Sequence, residues 1–287
     1  MVMYVILAVV TLIVLAVAAY TDLRTREVPD WVSYSLLFSA LGLRALFSIE
    51  LGWQVLVSGV LGFLVFFLIA LLFYHTRQWG GADSKLLMGL GAVLGLDVFF
   101  TGFANNHAWD LPLFFVMLLL AGAVYGLIWS GILITINWKQ FYPVYIKKFH
   151  KHNMEFFISI FLAAMLALLA IWSVWFILLA AFPIFAYFFF TLISAVEDSC
   201  FVKKIRVSKL TEGDWLAKDV HVNDSLVMTA RTLERKDLHK LLKLALDNKL
   251  KYVIIKEGIP FVPSFLLAYI LLLLGDWIFP GLLSAIF

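Results

Sequence analysis

Charge is what this sequence has least of. Its 22 Lys and Arg and 19 Asp and Glu make up 14% of 287 residues, against 63% hydrophobic ones. A soluble domain of this length needs far more polar surface, so the shortage points to a polytopic membrane protein. The mean hydropathy of +0.98 agrees. A single cysteine, Cys200, excludes an internal disulfide and any Cys-rich zinc site. The six scattered histidines show no metal-ligand spacing, and a net charge of +3 is too small to argue for nucleic acid. No metal, cofactor or nucleic-acid partner is expected, and membrane lipid is.

The charges that exist are unevenly placed. Between Glu197 and Glu257 lie 13 of the 22 basic and 10 of the 19 acidic residues. That segment, 197–258, is expected to be a small cytoplasmic α+β domain. Apolar runs fall near 2–21, 31–49, 53–74, 86–104, 111–136 and 261–284, and a stretch of 41 residues, 156–196, carries no formal charge. One helix of that length would be roughly twice as long as a bilayer needs. Two helices turning near "IWSVW" (171–175) fit better. The expected fold is all-α and polytopic, with about eight spans (six to eight), the α+β domain preceding the last helix, 259–287.

Basic residues orient the chain. Arg24 and Arg26 follow the first span, Arg77 and Lys85 bracket the third and fourth, and Lys139, Lys147, Lys148 and Lys151 follow the fifth. The opposite side holds little beyond Arg44, Glu50 and "NNHAWD" (105–110). The basic side reads as cytoplasmic, with the N-terminus outside. No Lys or Arg precedes the first apolar run, so it reads as a retained helix rather than a cleaved signal, despite "AVA" at 16–18.

Within the charged segment, "KKIRVSKL" and "KYVIIKEG" read as strands and "TLERKDLHKLLKLALDNK" as a helix. Leu238, Leu241, Leu242 and Ala245 form its apolar face, with Thr232 as cap. "TEGDW" and "VNDS" read as turns.

Nine acidic residues remain outside that segment: Asp22, Glu27, Asp30, Glu50, Asp83, Asp97, Asp110, Glu155 and Asp276. A carboxylate inside the membrane is costly and usually functional, whereas one at a helix end is cheap. Asp22 alone reads as an interfacial residue beside Arg24 or Arg26. Asp83, after Gly80 and Gly81, alone reads equally well as a cap of the fourth span. Together they read differently. Both fall at cytoplasmic helix ends, and if the first and fourth spans are neighbours the carboxylates face each other. Such a pair shares a proton and supports acid–base chemistry on water. The other acids fit this site less well, Asp97, Asp110 and Glu50 lying towards the outer side and Asp276 beside Trp277. Glu27 and Asp30 share a loop with Asp22 and are expected to orient Arg24 or Arg26. An ion- or proton-coupled transporter using the same two Asp residues is the alternative. Against it, no repeated halves are visible, and both groups lie at one face rather than midway. A presenilin-like protease lacks its "PAL" tripeptide here, and a non-catalytic scaffold would leave binding to the α+β domain.

"TDLRTREVPDW" after the first span and "GGADSKLLMGLG" opening the fourth resemble the type IV prepilin peptidases, membrane aspartyl proteases, and among them the archaeal preflagellin and prepilin peptidases. "GIPFVPSFLLAYILLLLGDWIFP" is similar to their last span. The resemblance covers roughly 1–135 and 258–287; the 155–195 hairpin is an addition to it. It implies that Asp22 and Asp83 are catalytic, with Gly80, Gly81, Ala82, Lys85, Arg24 and Arg26 as supporting motif residues. Ala82 stands where glycine is commoner. Glu27, Asp30 or Asp198 are candidates to read the positive charges of the substrate leader, although an ordinary solvated face is the favoured reading of all three. The bacterial Cys-rich insert is absent, so peptidase activity alone is implied, on prepilin or preflagellin-like substrates.

Overall fold

The computed structural model describes residues 2–76, 78–97, 109–169, 175–222, 225–247 and 249–275, by backbone alone at 175–178. In order they form α1 (Val2–Thr25), α2 (Asp30–Leu51), α3 (Gln54–His75), α4 (Gly81–Leu94), α5 (Asp110–Ile136), α6 (Trp138–Lys151), α7 (Asn153–Leu168) and α8 (Trp175–Ser199). Then come β1 (Val202–Arg206), β2 (Trp215–Leu216), β3 (Val220–Val222), β4 (Ser225–Met228), α9 (Arg235–Leu246), β5 (Tyr252–Lys256) and α10 (Val262–Leu273). The protein is a polytopic helical membrane protein with a small α+β segment before its last helix.

Among the described residues, α1, α2, α3, α5 and the Leu179–Ser199 part of α8 are long and apolar enough to cross a membrane. α6 and α7, bent by 67° at their junction, make a sixth span if taken as one. The fourth expected span is represented by α4, which stops at Leu94, and the last by α10, with 12 residues. Positions 98–104 and 276–284 of those spans lie outside the described residues, as do Arg77, Asp276 and positions 171–174 of the expected turn at 171–175, whose last residue, Trp175, opens α8.

The chain forms two compact units, Met1–Leu127 with Pro260–Phe287, and Ile128–Ile259. In the first, each long helix packs through a stripe repeating every three or four residues, the spacing of one helix face. On α1 the buried stripe is Met3, Leu7, Thr11, Leu15, Ala18, Ala19 and Asp22. On α2 it is Val32, Ser33, Leu36, Ala40 and Arg44, and on α3 it is Ser58, Gly59, Gly62, Phe66 and Ala70. Small residues and shape select these faces, because the helices are apolar all round. At Gly62 and Gly91 the α3 and α4 backbones touch, since a Cβ on either would strike the carbonyl oxygen of the other. Arg44, grouped above with the outer-side residues, instead lies inside α2 and is fully buried.

In the second unit, α6 is amphipathic, with Trp138, Phe141, Tyr142 and Tyr145 in one run of rings and Lys148, His150 and Lys151 in its last turn. α7 and α8 pack together through Phe156, Tyr187 and Phe188. In the α+β segment an antiparallel sheet has the order β1–β5–β2, and β3 pairs with β4 as a hairpin. α9 closes the core with Leu241, beside Leu238, Leu242 and Ala245. It begins two residues later than a cap at Thr232 predicts. Glu234 is its cap residue, with its N–H donated to Asp237 Oδ2 at 3.2 Å, and Thr232 instead bridges Trp215. The carboxylate three residues into the helix satisfies the cap N–H better than a hydroxyl two residues before it. "TEGDW" turns at Gly213, φ +98°; positions 223 and 224 of "VNDS" lie outside the described residues.

Candidate active site

Asp22 is on the last turn of α1, on its packed stripe, and only 7% exposed. The helix ends three residues later, with Arg26 in the left-handed region at φ +62° and its N–H returned to Asp22 O at 2.9 Å. The Asp22 side chain reaches another element altogether. Its Oδ2 accepts the backbone N–H of Val262 at 2.9 Å, the first residue of α10. The opening N–H groups of a helix have no partner within it and carry its positive dipole end, so a carboxylate is favourable there. Pro263 follows, a residue suited to the first turn.

Asp83 sits in the first turn of α4. Its Oδ2 accepts the Gly80 N–H at 3.3 Å, while Ser84 Oγ donates to Gly80 O at 3.0 Å. The capping role open in the sequence is thus present in the structure. It does not use up the carboxylate: Asp22 lies close enough for its charge to act on Asp83. The first and fourth helices are neighbours, as the pairing requires. Gly80 is in ordinary extended backbone (φ −73°, ψ 168°), and a Cβ at Gly81 would meet nothing within 4 Å. Neither glycine is forced by the backbone, and Gly81 opens onto free space.

Trp79, inside the stretch that carries Gly80 and Asp83, anchors the entrance to α4. Its ring stacks on Phe73 at 4.6 Å between centroids and meets Phe261 at 5.9 Å and Phe265 at 5.7 Å. The α4 entrance is thereby tied to the start of α10, where Asp22 also binds. α5 closes on the same place, Gly122 lying directly against the Phe261 ring. The Tyr125 hydroxyl, one turn further along α5, is within electrostatic reach of both Asp22 and Arg26. None of Trp79, Phe261, Val262 or Tyr125 stands out as a site residue in the sequence. The nearest signal for Val262 is the "FVP" that opens the final apolar run.

The remaining expected residues spread around this centre. Lys85 Nζ pairs with Asp30 Oδ1 at 2.5 Å and lies 5.5 Å from the Tyr34 ring centroid, linking α4 to the start of α2. Arg24 donates to Tyr20 OH at 3.2 Å. Glu27 is exposed, and its carbonyl accepts from Thr25 Oγ1 at 3.1 Å. Ala82 packs against the buried core. In the other unit, Asp198 pairs with Lys148 at 2.5 Å. Among the described residues, no three His, Cys, Asp or Glu are grouped to hold a metal.

A sequence model of the type IV leader peptidase family matches residues 9–134. A preflagellin peptidase of Methanococcus voltae is 31% identical over 81 residues, 28% of this chain and 34% of that protein. The similarity thus spans about a third of the relative's length. Val262 and α10 lie beyond the matched segment, although they complete the surroundings of Asp22. Asp22 and Asp83 both lie within it, and that segment of the chain, residues 9–134, matches the type IV leader peptidase family.

Proposed function

We propose that this protein is a membrane aspartyl endopeptidase that removes the short basic leader from prepilin-like or preflagellin subunits. The observation that carries the reading is that Asp22 and Asp83, from separate helix ends, come within electrostatic reach inside the segment matched to leader peptidases. Two carboxylates so placed share one proton. The charged one takes a proton from the attacking water, and the protonated one donates to the peptide carbonyl oxygen. The proton belongs to the pair, so neither Asp is assigned as base in the resting enzyme. Each carboxylate spends Oδ2 on a backbone N–H. Oδ1 of each is the atom we assign to water and substrate.

The positive-inside pattern supports an active site at the cytoplasmic face of the plasma membrane, with the N-terminus outside. There a signal-anchored substrate presents the junction between its basic leader and its apolar helix. The open side of Gly81 gives that extended junction room beside Asp83. The match to the archaeal preflagellin peptidase favours the archaeal branch and an archaellin- or pilin-like substrate.

The test uses the purified full chain in detergent, mixed with a preflagellin or prepilin bearing its leader. Wild type is expected to shift the substrate band, and Asp22→Asn and Asp83→Asn are expected to leave it intact. Asparagine variants that cleave at the wild-type rate would sink the proposal. Proton-coupled uptake that both substitutions abolish, without any cleavage, would favour a transporter instead.

A further inference from the structure

The most deeply buried charge in the described residues of the first unit is not at the Asp22–Asp83 site. Arg44, on α2, has no exposed surface at all. A charged side chain among apolar helices is expensive, and where one persists its partners explain it. Here Nη1 donates to Val55 O at 3.0 Å and to Ser58 Oγ at 3.4 Å, and Nη2 donates to Val93 O at 2.8 Å. Ser58 in turn donates to Asp97 Oδ1 and accepts the Leu96 N–H at 3.0 Å. Tyr4 OH donates to Asp97 Oδ2 at 3.4 Å. The cluster therefore joins α1, α2, the start of α3 and the end of α4.

The backbone is cut to fit it. A Cβ on Gly95 would strike Ser58 Oγ and the Arg44 guanidinium, and one on Gly59 would strike Arg44 Cδ. Gly95 also has φ +73°, which ends α4. α4 has only 14 residues, about 21 Å, while a hydrocarbon core is about 30 Å thick. Its last carbonyls finish inside packed protein, where they need donors. Arg44 supplies both a donor to Val93 and a positive charge at the negative end of the helix dipole.

The other end of α4 carries Asp83, ten residues before Val93 and so roughly 15 Å away along a rigid helix. Sideways, α4 is wedged by the Gly62–Gly91 backbone contact. What remains to be fixed is its position along its own axis. We propose that Arg44, tied to Asp97 through Ser58, is a positioning residue that sets the axial register of α4 and thereby the placement of Asp83 against Asp22. The inference rests on the reading of Asp22 and Asp83 as the working pair.

The alternative is that the cluster contributes stability alone. Three full-length variants separate the two. Ser58→Ala cuts the bridge and leaves both charges. Arg44→Met with Asp97→Leu removes both charges together, so that neither is left buried alone. Arg44→Lys keeps the charge without the fork. Thermal midpoint, kcat, KM and the pH profile of kcat/KM are measured on a leader-bearing substrate, well below each midpoint.

A small axial displacement of Asp83 predicts a fall in kcat on the order of tenfold to a hundredfold in the double variant, with KM little changed. Its pH profile should also be displaced, because the titration of two carboxylates depends on their separation. Ser58→Ala and Arg44→Lys should fall between it and wild type. If these variants lose thermal stability alone and keep the wild-type kcat and pH profile, the positioning role is overturned. Ser58→Ala decides the matter by the same two readouts if the double variant does not fold. Asp22→Asn run in parallel tests the catalytic reading itself, since cleavage surviving there discards the pair and not merely its positioning.

Discussion

Asp22 Oδ2 accepts the Val262 N–H at 2.9 Å across 240 positions of sequence, joining the end of α1 to the start of α10. One carboxylate thus has two roles that substitution can separate. Asparagine keeps an acceptor oxygen for the helix start, whereas alanine takes that acceptor away from the buried Val262 N–H. Asp22→Ala should lose about 1 kcal/mol of stability, with Asp22→Asn close to wild type. Both should lose cleavage by roughly 10²–10⁴-fold. Thermal melting in detergent beside the cleavage assay checks this. Equal melting of the two variants would remove the capping role.

Gly122 lies where α5 meets the Phe261 ring, and a Cβ there would sit 2.7 Å from Cε2 and Cζ. Alanine gains about 1 kcal/mol of helix propensity, but overpacking against an aromatic ring costs about 1–3 kcal/mol. Gly122→Ala should therefore lower the melting temperature. Gly126→Ala, one turn along with nothing within 4 Å, should leave it unchanged or raise it. The pair of variants measures packing against propensity on the same helix.

The Lys85–Asp30 pair looks strong at 2.5 Å, but the side chains are 31% and 67% exposed. Solvent and salt screen such a pair. A double-mutant cycle with Lys85→Ala and Asp30→Ala should give a coupling of about 0.2–1 kcal/mol, shrinking as salt is added. A coupling well above that range would mean the pair is shielded in the lipid-bound protein.

Asp237 gives the α+β segment an acid limit. Burial pushes its carboxyl up, but this is outweighed by the hydrogen bond from Arg231, the Glu234 N–H, and the charges of Arg231 and Lys240, leaving it below its ordinary value of 3.8. A carboxylate lowered in the folded state stabilises fully above its unfolded value, and that contribution fades as pH falls through the lowered one. Hydrogen exchange of the α9 amides in the full chain should rise below about pH 4. In Asp237→Asn that pH-dependent rise should be smaller, from a higher starting level. A variant with the wild-type acid response would exclude this carboxylate as its source.

The elements readable in advance share a cause: their signal is local. Leu238, Leu241, Leu242 and Ala245 recur at helix spacing beside charged neighbours, so the apolar face of α9 is visible in the chain itself. The alternation in "KYVIIKEG" likewise marks β5, whose Val253 and Ile255 are buried. The start of α9 was less legible, because Thr232, Glu234 and Asp237 all offer capping oxygens and only the tertiary pairing of Thr232 with Trp215 removes one of them.

By itself the sequence determined the membrane class, the order of the apolar segments and the two carboxylates at helix ends. Scarcity makes each charge conspicuous in so apolar a chain, and the 3.6-residue period and bilayer thickness are fixed by backbone and lipid. Only the tertiary structure decided which face of each helix is packed. An apolar helix carries no contrast between its sides, so nothing along α1 or α2 announces that Asp22 and Arg44 both lie on buried stripes. Nor can local pattern reveal that Val262 caps onto Asp22, that Trp79 leans on Phe261, or that Arg44 holds the far end of the helix bearing Asp83. Those relations join residues far apart in the chain, and close packing of small side chains is what brings them together.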